Sequence, residues 1–434
     1  MSAAGPSPET PVATPDPERP RVGDEFVVDI GPVAHGGHCV ARWEGRVVFV
    51  RHALPGERAL VRLTDTRHSG FLRADAIRID RADAERITPR CRHFGPGGCG
   101  GCDFQHATLQ RQRELKAAVV AEQLRRLAGL DVDVEVEELP GTGDGFGWRT
   151  RVRWGLDAAG RIGPRAARSH DVVAVSSSAP CEIAAPGISE TAAASGVPPE
   201  VALERAQGAT RGRDRGGVKL PEVNLVATGT APLVLWKHDD VPTITEHAAG
   251  HDFQVRGDGF WQVHPAAAET LAAAVDDAVT GFLAPGGVAW DLYGGVGLFG
   301  AVLADRVGPS GTVVTVENDA PATALALSNL DGLAQIVGVT ERVEQLCEDL
   351  DGPLGGTVDV IVLDPPRSGA GRQVCAAMTA RAPAAIVYVA CDPAALARDT
   401  AILAEHGYSL DTLRAFDCFP QTHHVECVAR FLPA

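Results

Sequence analysis

The chain has 434 residues, ten cysteines and a formal charge of −16 at pH 7, with 45% hydrophobic and 22% charged residues. These values describe a globular protein too long for one ordinary core and too acidic overall to coat nucleic acid nonspecifically, while a local basic face stays compatible with an enzyme. No run of about 18 apolar residues occurs, so no membrane partner is expected.

Residues 1–20, MSAAGPSPETPVATPDPERP, lack the basic and apolar stretches of a signal peptide and are expected to be a disordered leader on a cytoplasmic protein. Residues 21–82 carry short β-runs punctuated by Gly and Pro, clearest in GRVVFVRHALPGERALVRL, and fit a five-stranded barrel of the OB type. Ten arginines against eight acids make this module slightly basic, which suits either a solvated surface or contact with an RNA backbone.

Residues 83–255 are expected to form a small central α+β domain. It holds the cysteine-rich stretch CRHFGPGGCGGCDFQH, with Cys91, Cys99 and Cys102, while Cys181 stands alone downstream. A helix over about 108–128, with Gly129 as its C-cap, can pack on the next domain. Residues 182–250 are expected to contribute an antiparallel sheet. Over residues 256–434 helices and strands alternate, which predicts a doubly wound α/β domain.

Within that domain, WDLYGGVGLFG at 290–300 reads as strand, glycine turn and helix, with Asp291 taken to lie inside the turn. Its spacing matches neither a dinucleotide nor a P-loop fingerprint. A second strand ends in Glu317, where an acid can accept both ribose hydroxyls of a nucleoside. This arrangement resembles the S-adenosylmethionine site of class I (Rossmann-like) methyltransferases, and the resemblance implies cofactor contacts from Gln262, Asp291, Tyr293, Gly294, Gly295, Gly297, Glu317 and Asp364.

The next strand ends at Asp364-Pro365-Pro366-Arg367, a proline-stiffened loop at the carboxyl edge of the sheet. The following strand, AIVYVA, delivers Cys391 ahead of a helix whose N-terminus is expected to lower the thiol pKa. FDCFPQTHHVECVARF then supplies Glu426. Cys375, Cys418 and Cys427 read as buried small hydrophobes.

GDGFWQVHP, DLYGGVGLF, LDPPRSG, YVACDPAALARD and DCFPQTHHVE occur in the order of the RNA uracil-5-methyltransferases that act on tRNA or 23S rRNA, a resemblance spanning about residues 255–430. Residues 21–82 look like the TRAM domain of several members. The resemblance implies a covalent mechanism: Cys391 adds to C6 of uracil, and Glu426 later removes the C5 proton. Gln262 and Asp364 would hold the pyrimidine edge, Arg367 a neighbouring phosphate, and Phe260 would stack on the extruded base.

The implied partner is RNA, 23S rRNA before tRNA, acted on by a monomer that needs no protein partner. Cys91, Cys99, Cys102 and Cys181 resemble the ligand set of the iron–sulfur members, which implies a [4Fe–4S] cluster; zinc and free thiols are the alternatives. Three positions depart from the family pattern: His264 and Asp392 where asparagine is usual, and Leu298 where a polar residue often closes the glycine loop. The residue that contacts the adenine is expected within 341–349.

Two other enzyme classes fit less well. Radical methylthiotransferases need C-x3-C-x2-C, and DNA cytosine-5 enzymes carry Pro-Cys where this chain has Asp364-Pro365-Pro366. A non-catalytic RNA-binding protein would be expected to lack Cys391 or Glu426.

Overall fold

The computed structural model describes residues 19–141, 143–197, 222–236, 240–346 and 356–434. The expected leader therefore lies outside it except for its last two residues. The N-terminal module is a closed barrel in which β1 (Glu25–Ala34), β2 (His38–Trp43), β3 (Arg46–Arg51), β4 (Arg58–Asp65) and β5 (Phe71–Arg81) run in the order β1-β2-β3-β5-β4. Alternation fills its interior: Val48, Leu63, Leu72 and Ala74 are buried, while their neighbours along each strand are more exposed.

After the cysteine loop, α1 (Leu109–Gln123) continues into a π-helical turn, Leu124–Ala128, that ends at Gly129 with φ +68°. Thr108 caps its start by accepting from the Arg111 amide. The helix packs on the catalytic domain. Gln112 exchanges hydrogen bonds with Gln421, and the fully buried Lys116 donates from Nζ to Asp417 and to the Phe419 carbonyl. Removing one partner of a buried pair strands the other charge. Lys116→Ala is therefore expected to cost about 3–5 kcal/mol, read as a lowered midpoint in urea unfolding.

The central region also supplies β6 (Val136–Glu138), β7 (Arg151–Leu156), β8 (Ile162–Gly163), the helix α2 (Ile188–Ala194), β9 (Glu222–Val226) and β10 (Leu233–Trp236). An antiparallel sheet does form, in the order β10-β9-β7-β8, but half of it comes from upstream of residue 182. β11 (Thr243–Ala248) and β12 (His251–Arg256) make a separate hairpin.

The remaining elements are α3 (Ala267–Val279), β13 (Val288–Leu292), α4 (Leu298–Val307), β14 (Thr312–Glu317), α5 (Ala320–Asn329) and β15 (Gln335–Thr340). They continue through α6 (Val343–Leu346), β16 (Val360–Leu363), α7 (Gly371–Ala380), β17 (Ala385–Ala390), α8 (Pro393–Glu405), β18 (Tyr408–Asp417) and β19 (Glu426–Pro433). An eight-stranded sheet of order β15-β14-β13-β16-β17-β19-β18-β6 results, so a strand from the central region completes its edge.

β13 to β17 are parallel, and β16 and β17 are buried along their whole length, which is why VIVL and AIVYVA are apolar without alternation. Between β13 and β16 the chain order switches, and a ligand crevice opens at the carboxyl ends of such strands. Cys375, Cys418 and Cys427 are fully buried among these layers. No helix among the described residues is long and apolar enough to cross a membrane.

Candidate active site

The glycine turn after β13 begins at Tyr293, whose φ of +62° is unusual for a side-chain-bearing residue, and continues through Gly295 at +55° and Gly297 at +95°. Gly294 has no room for a Cβ, which would lie 2.7 Å from Asp291 Oδ2 and overlap the Thr315 hydroxyl. Gly295 instead faces open space. Its amide donates to Glu317 Oε2 (3.1 Å), and Glu317 Oε1 accepts from the Asp319 amide (2.9 Å). The acid at the end of β14 is thus held against the turn while lining the cleft.

Two expectations fail here. Asp291 lies in β13 rather than in the turn, is fully buried and does not line the cleft. It braces the loop from below: Oδ2 accepts from Thr315 Oγ1 at 3.3 Å, while Oδ1 has no partner among the described residues. Burial, with Glu317 adding to it, pushes its carboxyl up to about 7. Gly297 does not reach the cleft either; a Cβ there would press on Leu330 and Ala326, so its role is packing of α4 against α5.

A single cleft of about 900 Å³ gathers the other residues singled out in the sequence. Tyr293, Gly294, Gly295 and Glu317 line it together with Phe260, Gln262, Asp364, Arg367, Cys391 and Glu426. Phe260 is 71% exposed, a large apolar ring left facing the opening, whereas Gln262 is nearly buried. β16 and β17 aim Asp364 and Cys391 from adjacent strand ends, and the first residue of the antiparallel β19 brings Glu426 alongside.

The electrostatics are those of buried acids crowded together. Burial and then the neighbouring Asp291 raise the Asp364 carboxyl to about 7. Glu426 is raised well above the carboxylate range by burial and by Asp364, with Arg367 opposing. The Cys391 thiol is pushed up to about 12 by burial, then by Glu426 and Asp364. This corrects the expected lowering by the helix N-terminus. Asp392 occupies that terminus as N-cap of α8, accepting from the Ala395 amide at 2.8 Å, while the thiol faces the carboxylates.

Of the departures, His264 is buried outside the cleft, stacked on Trp148 and accepting from the Ala266 amide through Nδ1 (3.2 Å). It fixes the entry into α3. Leu298 lines the cleft as the first residue of α4. Near the expected adenine contact, Glu341, Arg342 and Glu344 line the wall, and the Tyr293 hydroxyl donates to Glu344 Oε1 (3.3 Å); residues 347–349 lie outside the described residues.

Arg149, Arg256, Asn318 and Phe419 also line the cleft and went unnoticed in the sequence. Only the aromatic–basic string WRTRVRW around Arg149 carried a signal.

Cys91, Cys99, Cys102 and Cys181 all line a second cavity of about 470 Å³, and Arg149 lies in its wall as well as in that of the cleft. Cys91 is oriented by its amide donating to Gln105 Oε1 (3.1 Å), Cys181 by its amide donating to Ser189 Oγ (2.9 Å). Burial raises the thiols of Cys99, Cys102 and Cys181, the last to about 11. Among the described residues, no group of three or more His, Cys, Asp or Glu side chains is arranged to hold one metal ion.

Residues 19–77 match the TRAM domain family, and residues 355–432 match the tRNA (uracil-5-)-methyltransferase family. An RNA methyltransferase of Streptomyces avermitilis is 44% identical over 95% of this chain and 99% of its own length. A 23S rRNA (uracil(1939)-C(5))-methyltransferase of Thiobacillus denitrificans is 30% identical over 93% of this chain and 99% of its own. Among solved structures, the Pyrococcus abyssi tRNA (uracil-54, C5)-methyltransferase in complex with S-adenosyl-L-homocysteine has the same fold, with a TM-score of 0.64 at 21% identity, covering 94% of this chain and all of that one.

Proposed function

The chain belongs to the RNA uracil-5-methyltransferase family, and we propose that it methylates C5 of a uridine in 23S rRNA through a covalent adduct on Cys391. The observation that supports this reading is the convergence of Cys391, Glu426 and Asp364 beside Phe260 and Gln262, in one cleft with the glycine turn and Glu317. A thiol, a base and a hydrogen-bonding carboxyl facing an exposed aromatic ring suit an extruded pyrimidine.

Phe260 stacks on the extruded base and holds it away from its neighbours in the RNA, which makes C5 and C6 reachable. Gln262 and Asp364 bind its N3–H and O4 edge; a carboxyl with a pKa of about 7 can accept from N3–H or, when protonated, donate to O4. The Cys391 thiol first gives up its proton to solvent, and the thiolate sulfur then bonds to C6 as the C5–C6 π pair moves toward O4. Tyr293, Gly295 and Glu317 would hold S-adenosylmethionine, which would supply the methyl group that C5 takes and leave as S-adenosylhomocysteine. Glu426 then accepts the C5 proton, and the returning pair expels Cys391 from C6. Burial raises both the Cys391 thiol and the Glu426 carboxyl, and a cationic donor together with Arg367 would favour their ionised forms on loading.

The choice of 23S rRNA rests on the relative acting there, which aligns along nearly the whole chain. Mapping 5-methyluridine in rRNA and tRNA from cells with and without the gene tests it: loss of one rRNA site is expected, and loss of a tRNA site alone overturns it. A cytoplasmic enzyme follows from that substrate.

The four cysteines around one cavity suit a [4Fe–4S] cluster, which would tie the cysteine loop to Cys181 and shape the wall shared with the cleft. Anaerobically prepared protein is expected to contain equal iron and labile sulfide. Cys181→Ser is expected to lose both while still binding S-adenosylhomocysteine, and bound zinc in place of iron would contradict the assignment.

A further inference from the structure

The barrel does more than cover the catalytic domain; it touches the residue next to the nucleophile. The β1–β2 turn, His35-Gly36-Gly37, reaches across from the barrel, and His35 Nε2 lies 3.0 Å from Asp392 Oδ2. The other Asp392 oxygen holds the Ala395 amide at the start of α8, so the carboxylate is fixed from two domains.

The approach is close enough to require glycine. Gly37 has φ +74°, and a Cβ there would sit 2.7 Å from His423 Cβ and 3.2 Å from Asp103 Cβ. His423 in turn binds Asp103 through Nδ1 (2.6 Å), so the turn is also wedged against the loop leading to Glu426. His35, Asp392 and Cys391 share a small cavity of about 120 Å³ with Lys116, Arg367 and His424.

We propose that His35 is a positioning residue for the nucleophile: by pairing with Asp392 it fixes the loop carrying Cys391 and neutralises the carboxylate beside the thiol, so the barrel completes the catalytic site. The proposal rests on the reading of Cys391 as nucleophile.

Charges around the pair agree with this role. Asp392 raises the His35 pKa chiefly through their hydrogen bond, against burial and Arg398. The Cys391 thiol faces Glu426, Asp364 and Asp392, which raise it beyond the effect of burial, and Arg367, which lowers it. The protonated imidazole therefore acts on the thiol through Asp392, in a cavity that Arg367 and Lys116 also line.

The sign follows. The His35⁺–Asp392⁻ pair is complete below the ordinary histidine pKa and is lost as pH rises through the raised one. Above that, the Asp392 charge stands uncompensated beside the thiol.

Peptide-resolved alkylation of Cys391 by iodoacetamide, as a function of pH, tests this without RNA. His35→Ala should slow alkylation about tenfold near neutral pH, corresponding to about one pKa unit in the thiol. His35→Gln retains a donor without the charge and should show the same pH displacement with native S-adenosylhomocysteine binding.

Asp392→Asn should speed alkylation, and adding His35→Ala to it should change nothing further. Unchanged alkylation in both His35 variants overturns the proposal. So does a double variant as slow as His35→Ala alone, the result expected of a merely structural contact. Should Cys391→Ala protein still methylate RNA, the catalytic reading fails instead, and this thiol measurement is unaffected by that failure.

Discussion

Glu426→Gln protein incubated with its RNA and S-adenosylmethionine is expected to stall with the methylated base still bonded to Cys391. The amide cannot accept the C5 proton, so the step that expels the thiol is the one removed. Turnover should fall about 10²–10⁴-fold, the usual worth of a positioned general base. A denaturant-stable protein–RNA species should accumulate in its place. Gel mobility under denaturing conditions distinguishes this from a binding defect, which would lower both turnover and adduct. The wild-type pH profile carries the matching sign. Burial and Asp364 raise the Glu426 carboxyl well above the usual carboxylate range, so kcat/KM should still be rising with pH above that range as the base ionises.

Cys391→Ala is expected to have the largest effect of any single change. Without the thiol, C5 of uracil is not activated by addition at C6, and 5-methyluridine formation should fall below detection. S-adenosylhomocysteine binding should be retained, because the glycine turn and Glu317 are held by their own hydrogen bonds and not by the thiol. Cys391 is only partly buried and its thiol packs against carboxylates rather than in the apolar layers, so the fold should survive. A variant that lost cofactor binding together with activity would point to collapse of the cleft.

The legible parts of the site were those tied to strand ends. VIVLDPP and AIVYVAC announce buried strands by their unbroken apolar runs, and in a parallel sheet the residue after such a run faces the crevice. Asp291 was misplaced by one element. It sits inside the strand, and its oxygen fills the space that Gly294 and Gly300 leave by lacking a Cβ. Nothing in the local pattern distinguishes an acid beneath a turn from one within it.

The thiol's electrostatics were misjudged for a related reason. Helix proximity is visible in CDPAAL, whereas the carboxylates facing Cys391 arrive from residues 364 and 426. Arg149 and Phe419 enter the cleft from segments that only the folded chain brings together. The meaning of Asp392 was equally hidden: its partner, His35, lies 357 residues away on the barrel.

The most direct measurement uses RNA carrying 5-fluorouridine at the target position, with S-adenosylmethionine present. Fluorine cannot leave C5 as a proton does, so Glu426 has nothing to remove and the adduct persists. Intact-mass and peptide analysis should find one methylated fluoropyrimidine linked to the peptide containing Cys391 and none in Cys391→Ala. An adduct on another residue, or efficient methylation of ordinary uridine RNA by the Cys391→Ala protein, would contradict the account.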